Sequence, residues 1–350
     1  MIRQKKVLYI VFNDGSDTRV KRTLKLLGKR AEFIDVALLS NSTNIPDNTG
    51  TVRYFRIKRS HKSIAGILLF NMLIMKLRLQ TKYDLFYVVD EQCYMVTFLS
   101  LLFRPRVLDV FDSIFLKLNV EAHSWIRVKS LLYKQFNLLV VTDDTRLSLL
   151  PNQFLTQAVV LPNTYELCDF PEKRTTLKGE GNVFALIGSL TEARGVSVAR
   201  SILSLDPNAK IVMAGWLYDQ AAEALRSEKR VFYHGVLDFK DTHNLLKQAD
   251  FLISVYPETN LNNKYASPNK IYDSILCSIP LVINKYPIVA QYVERINIGA
   301  VIESSLAINS AELDLLYENN FSYIDSLREL DRDKFSLDHY AVEYIDRIFL

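Results

Sequence analysis

At 350 residues the chain exceeds one ordinary domain and suits two of the commonest size, each able to bury its own core. With 49% hydrophobic and 23% charged residues and no low-complexity tract, it is globular, which excludes a largely disordered protein. The net charge of +4 hides an asymmetry: the first 80 residues hold 16 Lys and Arg against 5 Asp and Glu, a local +11 that leaves −7 for the remainder.

The chain opens with basic residues and a short apolar run that lacks a small-residue cleavage site, so it reads as a first strand and not as a leader. Short runs rich in Val, Ile, Leu, Phe and Tyr then recur, each followed by helical spacing, the pattern of parallel βαβ units. In the first half the expected strands are Lys6–Asn13, Phe33–Ser40, Thr51–Ile57, Asp84–Asp90, Arg106–Asp112, Asn137–Thr142 and Ala158–Pro162. The apolar segment Ile64–Met75 is broken by Asn71 and falls short of the roughly 18 residues of a membrane span. The wider stretch Arg53–Arg78, with Lys58, Arg59, Lys62, Lys76 and Arg78 around an apolar centre, reads as a membrane-facing helix or as a buried helix with solvated ends. Residues 163–181 show no periodicity and form the expected linker. In the second half the expected strands are Asn182–Gly188, Ala209–Gly215, Arg230–Gly235, Asp250–Tyr256, Pro280–Asn284 and Ala300–Glu303, and Ser336–Phe349 closes the chain as a helix. The fold class is therefore α/β, two successive doubly wound sheets, with ligands expected beyond the carboxyl ends of the strands.

Much chemistry is missing. After the first strand, Asn13-Asp14-Gly15-Ser16-Asp17 holds one glycine where a dinucleotide site has three, which disfavours a nicotinamide enzyme. No Walker loop, HExxH, GxSxG or zinc-spaced Cys/His cluster occurs. Cys93, Cys168 and Cys277 lack paired spacing, which points to a reducing, cytoplasmic setting. His61, His123, His234, His243 and His339 are scattered and read as structural or surface residues. Asp109 with Asp112, or Asp143 with Asp144, could form a hydrolytic pair, but Asp at a strand end commonly caps the next helix.

The second half carries a specific order of signals. Ile187-Gly188-Ser189-Leu190 precedes Arg194-Gly195-Val196; Ala249-Asp250-Phe251-Leu252-Ile253 follows, then Ser267-Pro268-Asn269-Lys270-Ile271-Tyr272-Asp273 and Cys277-Ser278-Ile279-Pro280-Leu281-Val282-Ile283. This run resembles glycosyltransferase family 4, most strongly over residues 182–303. The first half is similar more faintly, at Asp17-Thr18-Arg19-Val20, Asp109-Val110-Phe111-Asp112 and Pro162-Asn163. The resemblance implies the GT-B fold, two Rossmann-like domains facing a central cleft: an acceptor domain over 1–165, onto which the terminal helix 336–350 packs back, and a donor domain over 175–330.

It also implies a nucleotide-diphosphate sugar as donor, a saccharide or lipid-linked acceptor, retention of anomeric configuration, no nucleic acid and no cofactor or metal. A departing diphosphate needs positioned cations and backbone amides, and Arg194 and Lys270 stand at the right strand ends as the expected catalytic pair. Gly188, Ser189, Pro268 and Asn269 would bring their backbone to the donor, the proline preset for a first helical turn whose amides favour an anion. Asp273, the last acidic residue of the family's E-x7-E motif, would accept the ribose hydroxyls. Two positions depart: Tyr265 stands where the motif begins with glutamate, and Ser189 where the family commonly has a second arginine. Gly15 in the first loop and Asp112 after a middle strand are the expected contacts from the N-terminal domain, Asp112 alternatively as a helix cap. An anionic membrane surface is the further expected partner. The alternatives are a nucleotide-sugar epimerase of the same fold and a catalytically silent scaffold.

Overall fold

The computed structural model of the protein describes residues 4–42, 46–102, 106–121, 124–166, 182–267 and 269–349. It divides into two compact units, Met1–Pro162 with Tyr340–Leu350, and Asn163–His339. The expected linker falls mostly outside the described residues, as do Cys168, His123 and Pro268.

The first unit runs β1 (Lys5–Val11), α1 (Thr18–Gly28), β2 (Ala31–Leu39), β3 (Val52–Ile57), α2 (Ile64–Gln80), β4 (Leu85–Val89) and α3 (Glu91–Thr97). It continues with β5 (Arg106–Asp109), α4 (Ile114–Lys117), α5 (Ile126–Tyr133), β6 (Leu138–Val141), α6 (Asp144–Leu147) and β7 (Ala158–Val160). The strands pair in the order β3-β2-β1-β4-β5-β6-β7, every pairing parallel. β4 is buried along its whole length, as expected for a parallel strand covered on both faces. One face packs Phe70, Ile74 and Leu77 of α2 against Phe86, Tyr94, Tyr133 and Phe136.

On β4 and β5, Asp109 is fully buried and receives Arg19 Nη2 at 2.7 Å and the Tyr87 hydroxyl at 2.6 Å. Arg19 also donates to Leu161 O at 2.6 Å. Removing one member of such a pair would strand a buried charge at about 3–5 kcal/mol.

The second unit runs β8 (Val183–Leu190), α7 (Val196–Leu205), β9 (Lys210–Leu217), α8 (Gln220–Arg226), β10 (Val231–Tyr233), α9 (Phe239–Leu246), β11 (Phe251–Ile253) and α10 (Leu261–Lys264). It ends with α11 (Asn269–Cys277), β12 (Leu281–Asn284), α12 (Ala290–Arg295), β13 (Gly299–Ile302), α13 (Ser310–Glu318) and α14 (Asn320–Glu329). Its sheet order is β10-β9-β8-β11-β12-β13, again parallel throughout. The last helix, α15 (Leu337–Phe349), donates from the Tyr344 hydroxyl to the Tyr87 hydroxyl at 2.9 Å.

Each strand expected from the sequence overlaps an observed one. The expectations run too long after β5 and β11, where Val110–Asp112 and Ser254–Tyr256 build loops, and too short on β8 and β9, which continue to Leu190 and Leu217. The candidate site lies at the loop after β11.

Candidate functional site

In each sheet the strand order reverses at one point, between β1 and β4 in the first unit and between β8 and β11 in the second. The loops leaving two such strands diverge to opposite faces and open a crevice at their carboxyl ends, the place where doubly wound sheets take ligands. In the second unit this point falls at Gly188 on β8 and at Ser254–Tyr256 after β11.

The backbones of β8 and β9 approach closely here. Gly188 pairs with Gly215, and a Cβ on Gly215, whose φ is +134°, would lie 1.9 Å from the Gly188 carbonyl oxygen. Only glycine fits. Gly188 is itself left-handed at φ +99°, and a Cβ there would stand 3.7 Å from Lys270 Nζ. The ammonium of Lys270, carried in the first turn of α11, therefore sits over the bare backbone at the end of β8.

Lys270 makes no hydrogen bond or ion pair among the described residues, although burial shields its ammonium. That burial lowers its proton affinity below the usual lysine value; Asp273 raises it in part, and the charge of Arg194 lowers it further. Two cations thus converge on one crevice with little anionic compensation. Such a place favours an incoming anion.

Arg194 arrives from the other wall. Glu192–Arg194 forms a single 3-10 turn after β8, and Gly195 at φ +103° turns the chain into α7. The guanidinium is exposed, stacks over Tyr256 at 5.4 Å from the ring centroid and reaches Asn263 Oδ1 with Nη2 at 3.4 Å. Both supports are themselves fixed. The buried Asn284 at the end of β12 accepts from the Tyr256 amide at 2.8 Å and returns a bond to its carbonyl at 2.9 Å. The buried Asn263 donates to Pro257 O at 2.9 Å.

Asp273, one turn beyond Lys270, is 4% exposed, and its Oδ1 lies 3.3 Å from His243 Nε2 of α9. The imidazole Nδ1 donates to the Phe239 carbonyl at 2.8 Å. With that nitrogen committed as an N–H, the contact between Nε2 and the carboxylate joins two acceptors unless a proton lies between them. His243 is thus the immediate neighbour of the Asp273 carboxylate. Scattered in sequence, His243 read as structural or surface; the packing of α9 on α11 gives it this neighbour.

Of the other expected contacts, Ser189 is exposed on β8 beside Gly188, and Asn269 is the exposed first residue of α11. Tyr265 follows α10, its amide donating to Leu261 O at 2.9 Å. Pro268 lies outside the described residues. Two open depressions lie away from this crevice, one of about 610 Å³ beside α5 and one of about 700 Å³ around Asp206 and Arg230. Topology and charge, not concavity, mark the site.

Gly15 and Asp112 belong to the first unit. Gly15 is buried at φ +79° in the loop after β1, where its amide donates to Asn13 Oδ1 at 2.9 Å. Asp112 is half exposed, with Lys117 Nζ at 3.6 Å and Arg146 Nη2 at 3.9 Å. Its loop is pinned by Asp90 at the end of β4, whose Oδ1 accepts the amides of Phe111 at 2.7 Å and Asp112 at 3.0 Å. Asp90 occupies the strained φ of 62°, and burial pushes its carboxyl up to about 7 against those amide bonds. Asp109, saturated by Arg19 and Tyr87, is not half of a hydrolytic pair, and Asp143 caps α6 through the Arg146 amide at 2.9 Å.

Two parallel doubly wound sheets of seven and six strands, each with its switch point, define the GT-B class of fold. No family model and no curated protein sequence matches the chain. Solved structures do. HepE of Anabaena in complex with UDP and glucose superposes with a TM-score of 0.69 at 14% identity, covering 98% of this chain and 99% of that one. Sucrose-phosphate synthase of Thermosynechococcus elongatus gives 0.68 at 12%, with coverage of 99% and 95%. WaaG, a glycosyltransferase involved in lipopolysaccharide biosynthesis, gives 0.68 at 13%, with coverage of 98% and 99%. At these identities the likeness is one of fold.

Proposed function

We propose that this chain is a retaining, hexosyltransferase-type glycosyltransferase that moves a sugar from a nucleotide-diphosphate donor to a saccharide or lipid-linked acceptor. The observation that carries the reading is the convergence of Lys270 and Arg194 on Gly188 at the switch point of the second sheet. The donor domain is the second unit and the acceptor domain the first.

The chemistry follows from the charges. As the glycosidic bond to phosphate breaks, negative charge grows on the leaving diphosphate, and cations already fixed in place stabilise it without reorganisation. Lys270 is half-buried with its ammonium close to bare backbone, which strengthens its interaction with that charge. Arg194, held by Tyr256 and Asn263, presents donors from the opposite wall. The first amides of α11 and its dipole add to the same field. Asp273, packed against His243, accepts the ribose hydroxyls. Front-face attack by the acceptor hydroxyl retains the configuration, and the reaction needs no metal.

In the first unit, Gly15 and Asp112 meet the acceptor or the donor sugar, and Asp90 holds the Asp112 loop in place. The fold neighbours support the reading, since HepE holds UDP and glucose and WaaG acts in lipopolysaccharide biosynthesis. We place the enzyme in bacterial surface polysaccharide or glycoconjugate synthesis at the cytoplasmic side of the membrane.

The test is nucleoside diphosphate release from a panel of nucleotide sugars, with a membrane extract as acceptor. Release that disappears in Lys270→Ala and in Asp273→Ala is the expected result. Ser189 and Tyr265, where the family has a cation and a carboxylate, favour a silent scaffold as the second reading. Nucleotide binding without any turnover across the panel would establish it.

A further inference from the structure

The helical layer over one face of the first sheet has an outer surface of unusual character. α2 buries Phe70, Ile74 and Leu77 against the sheet, yet its opposite side is also apolar. Ile64, Leu68, Met72, Met75 and Leu79, spaced at three to four residues, form a stripe along that side, and Ile64 and Leu79 are 78% and 84% exposed. A helix apolar all round belongs in a core or in lipid, but the core takes only one side of this one.

The stripe does not stand alone. Asn71 Nδ2 donates to Val96 O at 2.9 Å while its Oδ1 accepts the Ser100 hydroxyl at 2.7 Å, and Arg78 donates to the carbonyls of Ser100 and Leu102. These bonds fasten α2 to the turn Phe98–Leu101, which exposes Phe98 and Leu99. α5 covers the same core through Tyr133 and exposes Ile126 and Leu131. Three neighbouring elements thus turn large apolar side chains outward, an arrangement that marks an interaction surface.

Charge identifies the occupant. Neither α2 nor α5 contains a carboxylate. Lys58, Arg59 and Lys62 lead into α2, Lys76 lies on it, and Arg127 and Lys134 lie on and after α5, all exposed. A second copy of the chain would set these cations against each other, whereas an anionic bilayer neutralises them while its acyl boundary receives the apolar stripe. No helix among the described residues is long and apolar enough to cross a membrane, so contact would be with one leaflet.

We infer that the face built by α2, the Phe98–Leu101 turn and α5 docks on an anionic lipid surface. This deepens the glycosyltransferase reading by naming where the enzyme meets a lipid-linked acceptor, and it rests on that reading for the acceptor alone.

The experiment is flotation of the purified full-length chain with vesicles of phosphatidylcholine, with and without phosphatidylglycerol, at low and high salt. The chain floats with the anionic vesicles only, and less so in high salt. Lys58→Gln, Arg59→Gln and Lys62→Gln together weaken partitioning on the order of a hundredfold. Met72→Glu with Leu79→Glu abolishes it. Far-ultraviolet circular dichroism and the melting temperature, unchanged in both variants, show that they fold. Equal flotation on pure phosphatidylcholine overturns the inference, as does no flotation. A concentration-dependent dimer that the Met72→Glu, Leu79→Glu pair dissolves, without flotation, assigns the face to a second copy instead. Flotation by a chain that binds no nucleotide would defeat the transferase reading and leave this one standing.

Discussion

Replacing Lys270 with methionine keeps the length of the side chain and removes its charge. Burial and the nearby Arg194 hold the folded-state proton affinity of Lys270 below the ordinary lysine value, with Asp273 compensating in part. The unfolded chain therefore binds that proton more tightly. The penalty is present while the ammonium stays charged and fades as pH rises toward the ordinary lysine value. An apolar group of similar volume is neutral or stabilising in such a place, so Lys270→Met holds or raises the melting temperature. Catalysis moves the other way. Losing one preorganised cation from the leaving diphosphate costs about 2–4 kcal/mol in the transition state, roughly 30-fold to 1000-fold in kcat/KM. Nucleoside diphosphate release and thermal denaturation on the same preparation measure both. A variant that melts several degrees lower and turns over normally would refute the reasoning and make Lys270 a structural residue.

Other consequences concern the framework. Arg19→Met strands the carboxylate of Asp109 in the first core and lowers unfolding free energy by about 3–5 kcal/mol, read by urea titration. Gly215→Ala drives a methyl group into the Gly188 carbonyl, and a loss of about 3 kcal/mol or more, or failure to accumulate folded protein, is expected. Asp90 has its folded carboxyl raised to about 7 by burial, so wild-type stability falls as pH rises from about 4 to that value. Asp90→Asn keeps an oxygen for the amides of Phe111 and Asp112 and removes this slope; parallel urea titrations across that range compare the two.

The sheets were legible because buried parallel strands read as continuous apolar runs, and the overlap of expected and observed strands follows from that. Their ends were not: Val110–Phe111 and Val255–Tyr256 stay apolar after β5 and β11 stop, and β8 and β9 outrun the expected Gly188 and Gly215. At the candidate site, Gly188, Arg194 and the 267–273 run were picked out by their resemblance to the ordered motifs of a known family. The neighbours that orient those groups were not. His243 reaches Asp273 only through the packing of α9 on α11, and Asn284 holds Tyr256 across two strand ends. Helical periodicity says which side of a helix is buried, not which polar group it meets. Arg78 shows the converse: read as a flanking cation for a membrane, it is engaged with the Ser100 and Leu102 carbonyls, and the exposed cations lie elsewhere.

The central claim is that the crevice at Gly188, Arg194 and Lys270 receives a nucleoside diphosphate. Calorimetric titration of the purified chain with UDP, GDP and ADP tests it most directly. The account predicts saturable one-to-one binding of at least one of them, weakened about tenfold or more by Lys270→Met and left unchanged by Met72→Glu. Absence of binding for all three, or binding indifferent to Lys270→Met, would contradict it.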